Sequence, residues 1–151
     1  MQIRELEEAD FDSLSELILK VYDEMPYATT FEKRPSAETL SALMRRKLEG
    51  MRNRTLADFV AVEGGKVVAD CEIVKTTDSG GLVGILVARD HRKKGLGRRL
   101  VEKCADRAKL YKMLEVYAEI DERNDGAAAF FSRCGFREQE GEDSLVMVRS
   151  L

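Results

Sequence analysis

Six consecutive residues carry the clearest chemical signal in this chain: Arg92-Lys93-Lys94-Gly95-Leu96-Gly97. They follow an apolar, β-branched run that ends at Val87. They precede a segment in which Leu96, Leu100, Cys104 and Ala108 recur every four residues. The first run reads as a buried strand and the second as a helix with one buried stripe. A basic, glycine-containing turn that feeds a helix N-terminus is suited to anions. Free backbone N–H groups converge there, the helix dipole adds partial positive charge, and glycine lets a phosphate reach the backbone. Arg98 and Arg99 carry the charge into the first helical turn, where positive side chains oppose the dipole and call for a compensating anion.

Spacing narrows the anion. A Walker loop needs Gly-x-x-x-x-Gly-Lys-Ser/Thr, which does not occur, and a dinucleotide fingerprint needs a third glycine where Leu100 stands. Composition excludes other chemistries. The 151 residues suit one domain, 1–151, with 44% hydrophobic and 35% charged residues. Cys71, Cys104 and Cys134 form no Cys-x-x-Cys pair, and His91 is the lone histidine, so no metal site is expected. His91 reads as solvated, without an acidic partner. The chain shows no leader-like opening and no apolar run of membrane-spanning length, which together with reduced thiols predicts a cytoplasmic protein without a membrane partner. Net charge is −3, and no aromatics interleave the basic run, which argues against nucleic acid. The charge is nonetheless uneven: acidic over residues 1–24, basic from Arg89 to Lys112, acidic again from Glu115.

The elements that must position the loop follow from periodicity. Gln2–Leu6 reads as a strand. Asp10 is the expected N-cap of a helix with Leu14, Leu17, Ile18 and Val21 on one face, ended by Pro26. Ser36 caps a second helix, whose stripe is Leu40, Leu43, Met44, Lys47 and Leu48 and whose end is expected at Gly50. Asp58–Val62 and Lys66–Val74 form a hairpin across Gly64-Gly65, and a turn at Asp78–Gly81 leads into the strand before the basic loop. Met113–Ile120 is a further strand, and Gly126–Arg133 is a short helix stopped by Gly135. Phe136–Gln139 and Leu145–Arg149 pair across Glu140–Asp143. The order is β-α-α-β-β-β-α-β-α-β-β, a mixed α/β sheet whose parallel pair flanks the basic helix.

The Arg-x-x-Gly-x-Gly string resembles the acyl-CoA pyrophosphate loop of the GCN5-related N-acetyltransferase (GNAT) superfamily. A second string, Asn124-x-x-Ala127 followed by Phe130-Phe131-x-x-x-Gly135-Phe136, is similar to another element of that superfamily, in the same order along the chain. The resemblance covers essentially the whole chain and implies a sheet with a splayed central parallel pair and acetyl-CoA as cofactor. It implies that the backbone of Ile85, Leu86 and Val87 pairs with the pantetheine arm. The N–H groups of Lys93, Lys94, Gly95, Leu96, Gly97 and Arg98, with Arg92 at their head, would hold the pyrophosphate. Asn124 would lie beside the pantetheine. Gly84 falls where such strands bulge, and a backbone N–H from Gly84 to Leu86 would polarise the thioester carbonyl.

The departures concern proton transfer. Such proteins often carry a tyrosine where Phe131 stands, and a base sometimes found on the central strand would fall near Gly81. Glu119 and the Glu140–Asp143 turn are the remaining base candidates, and Tyr117 is the substitute acid. Tyr22, Met25, Tyr27 and Phe31 either pack the first two helices or shape the acceptor pocket. The implied activity is N-acetyl transfer to a small-molecule or peptide amine, by a monomer or a homodimer. The alternative is a CoA-binding sensor or regulatory module that does not catalyse.

Overall fold

The computed structural model describes residues 1–139 and 145–151. Its elements are β1 (Gln2–Glu5), α1 (Phe11–Glu24), α2 (Ala37–Arg52), β2 (Leu56–Glu63), β3 (Lys66–Lys75), β4 (Gly80–Val87), α3 (Leu96–Leu110), β5 (Glu115–Ile120), α4 (Ala127–Arg133), β6 (Arg137–Gln139) and β7 (Leu145–Ser150). Single 3-10 turns occupy Glu8–Asp10, Pro26–Ala28 and Arg89–His91. The strands form one sheet in the order β1-β2-β3-β4-β5-β7-β6. β4 and β5 run parallel, and every other neighbouring pair is antiparallel. The expected hairpin turn at Glu140–Asp143 lies outside the described residues.

Alternation along the strands gives the sheet two buried faces. On one, Leu96, Leu100, Val101, Cys104 and Ala108 of α3 pack on Phe59, Cys71, Ile73, Val83 and Val116, with Phe131 and Phe136 closing the end. On the other, Leu14, Leu17, Ile18 and Val21 of α1 and Leu40 and Met44 of α2 cover Val60 and Val67. Both helices of this layer carry the apolar stripe that their sequences require. Ser36 caps α2 by accepting the N–H of Thr39 at 3.2 Å.

Three local expectations differ from the structure. Asp10 occupies the N-cap position of α1, but its carboxylate does not cap it. It takes a bidentate pair from Arg4, at 2.7 and 2.9 Å, and the N–H of Glu7 at 2.8 Å. A guanidinium in reach outcompetes the helix amides. Gly50 does not end α2, which runs to Arg52; a Cβ there would lie 2.7 Å from Leu56 Cβ, so this glycine serves the packing of helix on strand. Gly84 does not bulge. The β3–β4 register runs unbroken from Lys75↔Gly81 to Ala69↔Val87, and a register shift falls instead between Ala61 and Val62 in β2.

Candidate active site

The parallel ladder between β4 and β5 contains Gly80↔Glu115, Gly81↔Val116 and Leu82↔Tyr117, then stops. β4 stays paired with β3 as far as Val87, so the two parallel strands part from Val83 onward. Ala88 donates its N–H to Val68 O at 2.8 Å. By antiparallel alternation, even-numbered residues of β4 turn their backbone groups towards β3, and odd-numbered ones turn theirs towards β5. Ile85 and Val87 therefore present backbone groups to the opening. Leu86, expected alongside them, turns its own towards Asp70 of β3. Its backbone groups are thus taken up within the sheet.

The opening leads to the basic loop. Lys93 and Gly95 both adopt positive φ, 61° and 80°. This left-handed backbone is costly for lysine and free for glycine, and it turns successive N–H groups to one side. Arg99 makes the first helical bond, to Gly95 O at 3.2 Å. The N–H groups of Lys93 to Arg98 have no backbone partner among the described residues. Lys93, Lys94 and Arg98 are exposed around them. Arg92 is committed differently. Its Nε donates to Val87 O at 2.9 Å and its guanidinium pairs with Glu24 of α1, so it braces the loop at the strand's end. Gly97 lies against Phe130 of α4, where a Cβ would meet Cε1 at 2.9 Å, and against Ile85, where it would meet Cδ1 at 3.3 Å.

On the α1–α2 face, one row of residues crosses the opening. Asp58 of β2 pairs with Glu72 of β3, and Glu72 pairs with Gly84 of β4. Continuing the β4–β5 register two residues past Leu82↔Tyr117 brings Gly84 level with Glu119, which is exposed on β5. Behind Glu72 lies a buried ionic cluster. Lys47 Nζ reaches Asp58 Oδ2 at 2.6 Å, Asp70 Oδ2 at 3.3 Å and Glu72 Oε2 at 3.2 Å. Burial alone would depress the lysine, but three carboxylates outweigh it and hold its pKa well above the usual value. Burial, and then the neighbouring charge of Asp70, push the Asp58 carboxyl well above its ordinary range. Sequence reasoning missed this cluster. Its signals were a lysine on the apolar stripe of α2 and acidic residues inside two β-forming runs.

The remaining expected residues distribute as follows. Tyr117 stacks on Gly80, where a Cβ would meet Cε2 at 3.0 Å, at the closed end of the ladder. Its hydroxyl donates to Glu115, which raises the phenol's pKa. Phe131 is a core residue, with its ring edge-on to Phe130 at 5.0 Å and to Phe136 at 5.1 Å. Asn124 builds the turn into α4: its N–H donates to Asp121 O at 2.9 Å and its carbonyl accepts from Ala127 at 3.2 Å. Arg123, beside it, pairs with Asp121, which it lowers to about 2, and lies 5.4 Å above the Tyr27 ring. From the Met25–Pro35 loop, Ala28 and Phe31 pack against the cluster under the first two helices, and Tyr27 lies beneath Arg123 in the turn after β5. His91 is not free of acidic partners, since Nε2 pairs with Glu63 at the end of β2. All three cysteines are buried thiols. A cleft of about 380 Å³ lies between α1, the start of β3 and the turn that follows β4, lined by Lys20, Glu24, Val67, Ala88 and His91 among others. No helix among the described residues is long and apolar enough to cross a membrane.

The arrangement is that of a mixed α/β protein with an opened parallel pair and an anion-ready loop at its end. Residues 15–136 match the model of the acetyltransferase (GNAT) family, and the chain belongs to that family. No curated protein sequence matches it. Among solved structures it is similar to a ribosomal-protein-alanine N-acetyltransferase from Brucella melitensis, at TM-score 0.83 and 22% identity over 100% of both chains. It is similar to a phosphinothricin acetyltransferase from Sinorhizobium meliloti in complex with AcCoA, at 0.82 and 19%, over 99% of this chain and 88% of that one. It is also similar to the PaiA N-acetyltransferase from Thermoplasma acidophilum in complex with coenzyme A, at 0.76 and 16%, over 99% and 98%. At these identities the likeness is one of fold.

Proposed function

We propose that residues 1–151 work as one acetyl-CoA-dependent N-acetyltransferase domain, acting on a primary amine in the reducing cytoplasm that its buried thiols suit. The observation that carries this reading is the end of the β4–β5 ladder at Leu82↔Tyr117, with β4 running on to a loop whose N–H groups have no backbone partner among the described residues. An extended pantetheine can complete the ladder at Ile85 and Val87 as an added strand. The pyrophosphate then meets the amides of Lys93 to Arg98 and the side chains of Lys93, Lys94 and Arg98. The two solved structures bound to AcCoA and coenzyme A, which share this fold, support that choice of cosubstrate.

In this reading the Ile85 N–H polarises the thioester carbonyl, and the amine attacks without a covalent enzyme intermediate. The nitrogen lone pair forms the new C–N bond as the C–S bond breaks and the thiolate leaves. Glu119 takes the proton lost by the amine and passes it to water, and Tyr117 is the acid once its hydroxyl leaves Glu115. A thiolate of pKa about 8.5 departs near neutrality without full protonation, so positioning and carbonyl polarisation carry most of the acceleration.

Calorimetric titration with acetyl-CoA, followed by thiol release across a panel of amines, tests the proposal. Expected are saturable binding, its loss in Gly97→Glu, and turnover above background. Failure to bind at millimolar acetyl-CoA would sink it. Binding without thiol release would assign the CoA-sensor role instead.

A further inference from the structure

We propose that Glu72 is the acceptor-binding residue and that it selects a cationic primary amine, an alkylammonium, over amines that are neutral near pH 7. This inference rests on the acetyl-transfer reading above and names the acceptor class for it.

Three observations converge on Glu72. The first is register: it stands opposite Gly84, two residues past the last β4–β5 pair, where the proposed thioester lies. The second is the gap left by glycine. A Cβ on Gly84 would lie 3.8 Å from Glu72 Cγ, so the glutamate flanks the space that a side chain on β4 would fill. Glu119, level with Gly84 on the parted strand β5, is exposed on the same face of the sheet. The third is charge. Lys47 from α2 is set against Asp58 of β2 and Asp70 and Glu72 of β3, the one ammonium paired with them among the described residues. Asp58 and Asp70 are 1% and 5% exposed, and Oδ1 of each is buried without a hydrogen-bond partner among the described residues. Lys47 binds one oxygen of Glu72, which fixes the carboxylate and leaves Oε1 without a hydrogen bond among the described residues. The side chain of Glu72 is 20% exposed, so this acidic cluster reaches solvent at the gap.

An aliphatic amine of pKa about 10.4 arrives as an ammonium. Its three N–H donors can engage Glu72 on one side and Glu119 on the other. Glu72 holds the ammonium until Glu119 relays its first proton to water; the freed lone pair then attacks, and the second N–H proton leaves for the departing thiolate as the C–N bond forms. The two carboxylates thus divide binding from deprotonation.

The test compares wild type with Glu72→Gln by thiol release, using acetyl-CoA with propylamine, cationic at neutral pH, and with trifluoroethylamine, which is largely neutral there. Glu72→Gln is expected to raise the propylamine KM roughly tenfold or more, the loss of a charge-assisted hydrogen bond, with kcat little changed. The trifluoroethylamine KM and the calorimetric acetyl-CoA affinity should stay within about twofold. Gly84→Ala, whose methyl makes only ordinary contact with Glu72, fills the gap without displacing the cluster and should raise the propylamine KM several-fold. Equal effects of Glu72→Gln on both amines, or none on either, overturn the inference while wild-type turnover leaves the acetyl-transfer reading standing. A wild type that releases no thiol with either amine, or with any other, overturns that reading and this inference with it.

Discussion

Gly97 and Phe130 meet face to face across the α3–α4 boundary: a Cβ on the glycine would stand 2.9 Å from Cε1 and 3.1 Å from Cζ of the ring. The glycine nearest the helix N-terminus is therefore needed twice, once by any phosphate approaching the backbone and once by an aromatic wall. Gly95 is different. Its φ of 80° is what demands glycine, and no atom lies within 4 Å of a Cβ there.

Gly97→Ala should consequently destabilise the free protein by about 1–3 kcal/mol, the usual cost of overpacking. Phe130→Leu in the same chain should recover most of it. Denaturant unfolding of the two single variants and the double variant measures the coupling, expected at about 0.5–3 kcal/mol for touching residues. Additive effects would show that the ring moves aside at no cost.

Lys47→Met should cost about 3–5 kcal/mol, because it leaves buried carboxylates without their cation. The folded pKa of Lys47 is raised, so its contribution is complete below the unfolded value of about 10.4 and is lost as pH climbs from there through the folded value. The gap between wild type and variant in urea unfolding should stay constant from neutral pH up to that point. Asp58→Asn should cost less than Lys47→Met at neutral pH, since it keeps a polar group beside Lys47 and removes the charge that burial and Asp70 disfavour. Asp58's raised pKa favours the wild type below about pH 3.9 and loses that advantage as pH rises through the folded value.

How much of this was legible depended on how local the cause was. Ser36 caps α2 through its own first turn. Gly135, at φ 87°, stops α4, and the β2–β3 turn is built on Gly64 and Gly65. Each of these is a bargain among neighbours along the chain, and each could be read from a few residues. The basic loop's left-handed turn and its N–H groups without backbone partners among the described residues were also local, because they follow from glycine and a helix start. Pairings across the fold were not legible. Lys47 meets carboxylates 11, 23 and 25 residues away, His91 meets Glu63 from 28 residues away, and Arg92 meets Glu24 across 68. Gly84 could be placed on its strand, but only the sheet register shows that it marks a gap beside Glu72 and not a bulge.

Arg4 and Asp10 make a bidentate pair that ties β1 to the start of α1, with the Asp10 side chain only 8% exposed. Arg4 lowers the Asp10 pKa against the opposing effect of burial. The pair's contribution is therefore present above the unfolded value of about 3.9 and is lost as pH falls through the lower folded value. Asp10→Asn should cost about 1.5–3 kcal/mol at neutral pH, as expected for hydrogen bonds to a charged group. The difference from wild type should shrink on acidification, followed by thermal unfolding across the acid range. A difference that persists unchanged in acid would mean that the amide fails for steric reasons.

Glu119 and Tyr117 occupy the same face of β5 two residues apart, yet they should respond differently to substitution. Glu119 stands level with Gly84, past the end of the ladder, and is open to solvent. Glu119→Gln should therefore lower kcat by about 100-fold or more, the scale of a lost general base, with less effect on the acceptor KM. Tyr117 points its hydroxyl at Glu115 on the closed side of Leu82, and that bond keeps the phenol protonated well into alkaline pH. Tyr117→Phe should lower kcat by less than about tenfold, because a thiol of pKa about 8.5 leaves nearly unaided. Steady-state thiol release on both variants, with a poorer thiol leaving group as a control, separates the roles. If the phenol delivers the proton, the Tyr117→Phe defect must grow as the leaving thiol becomes more basic. A defect that ignores the leaving group would mean that Tyr117 only packs against Gly80, and that water supplies the proton.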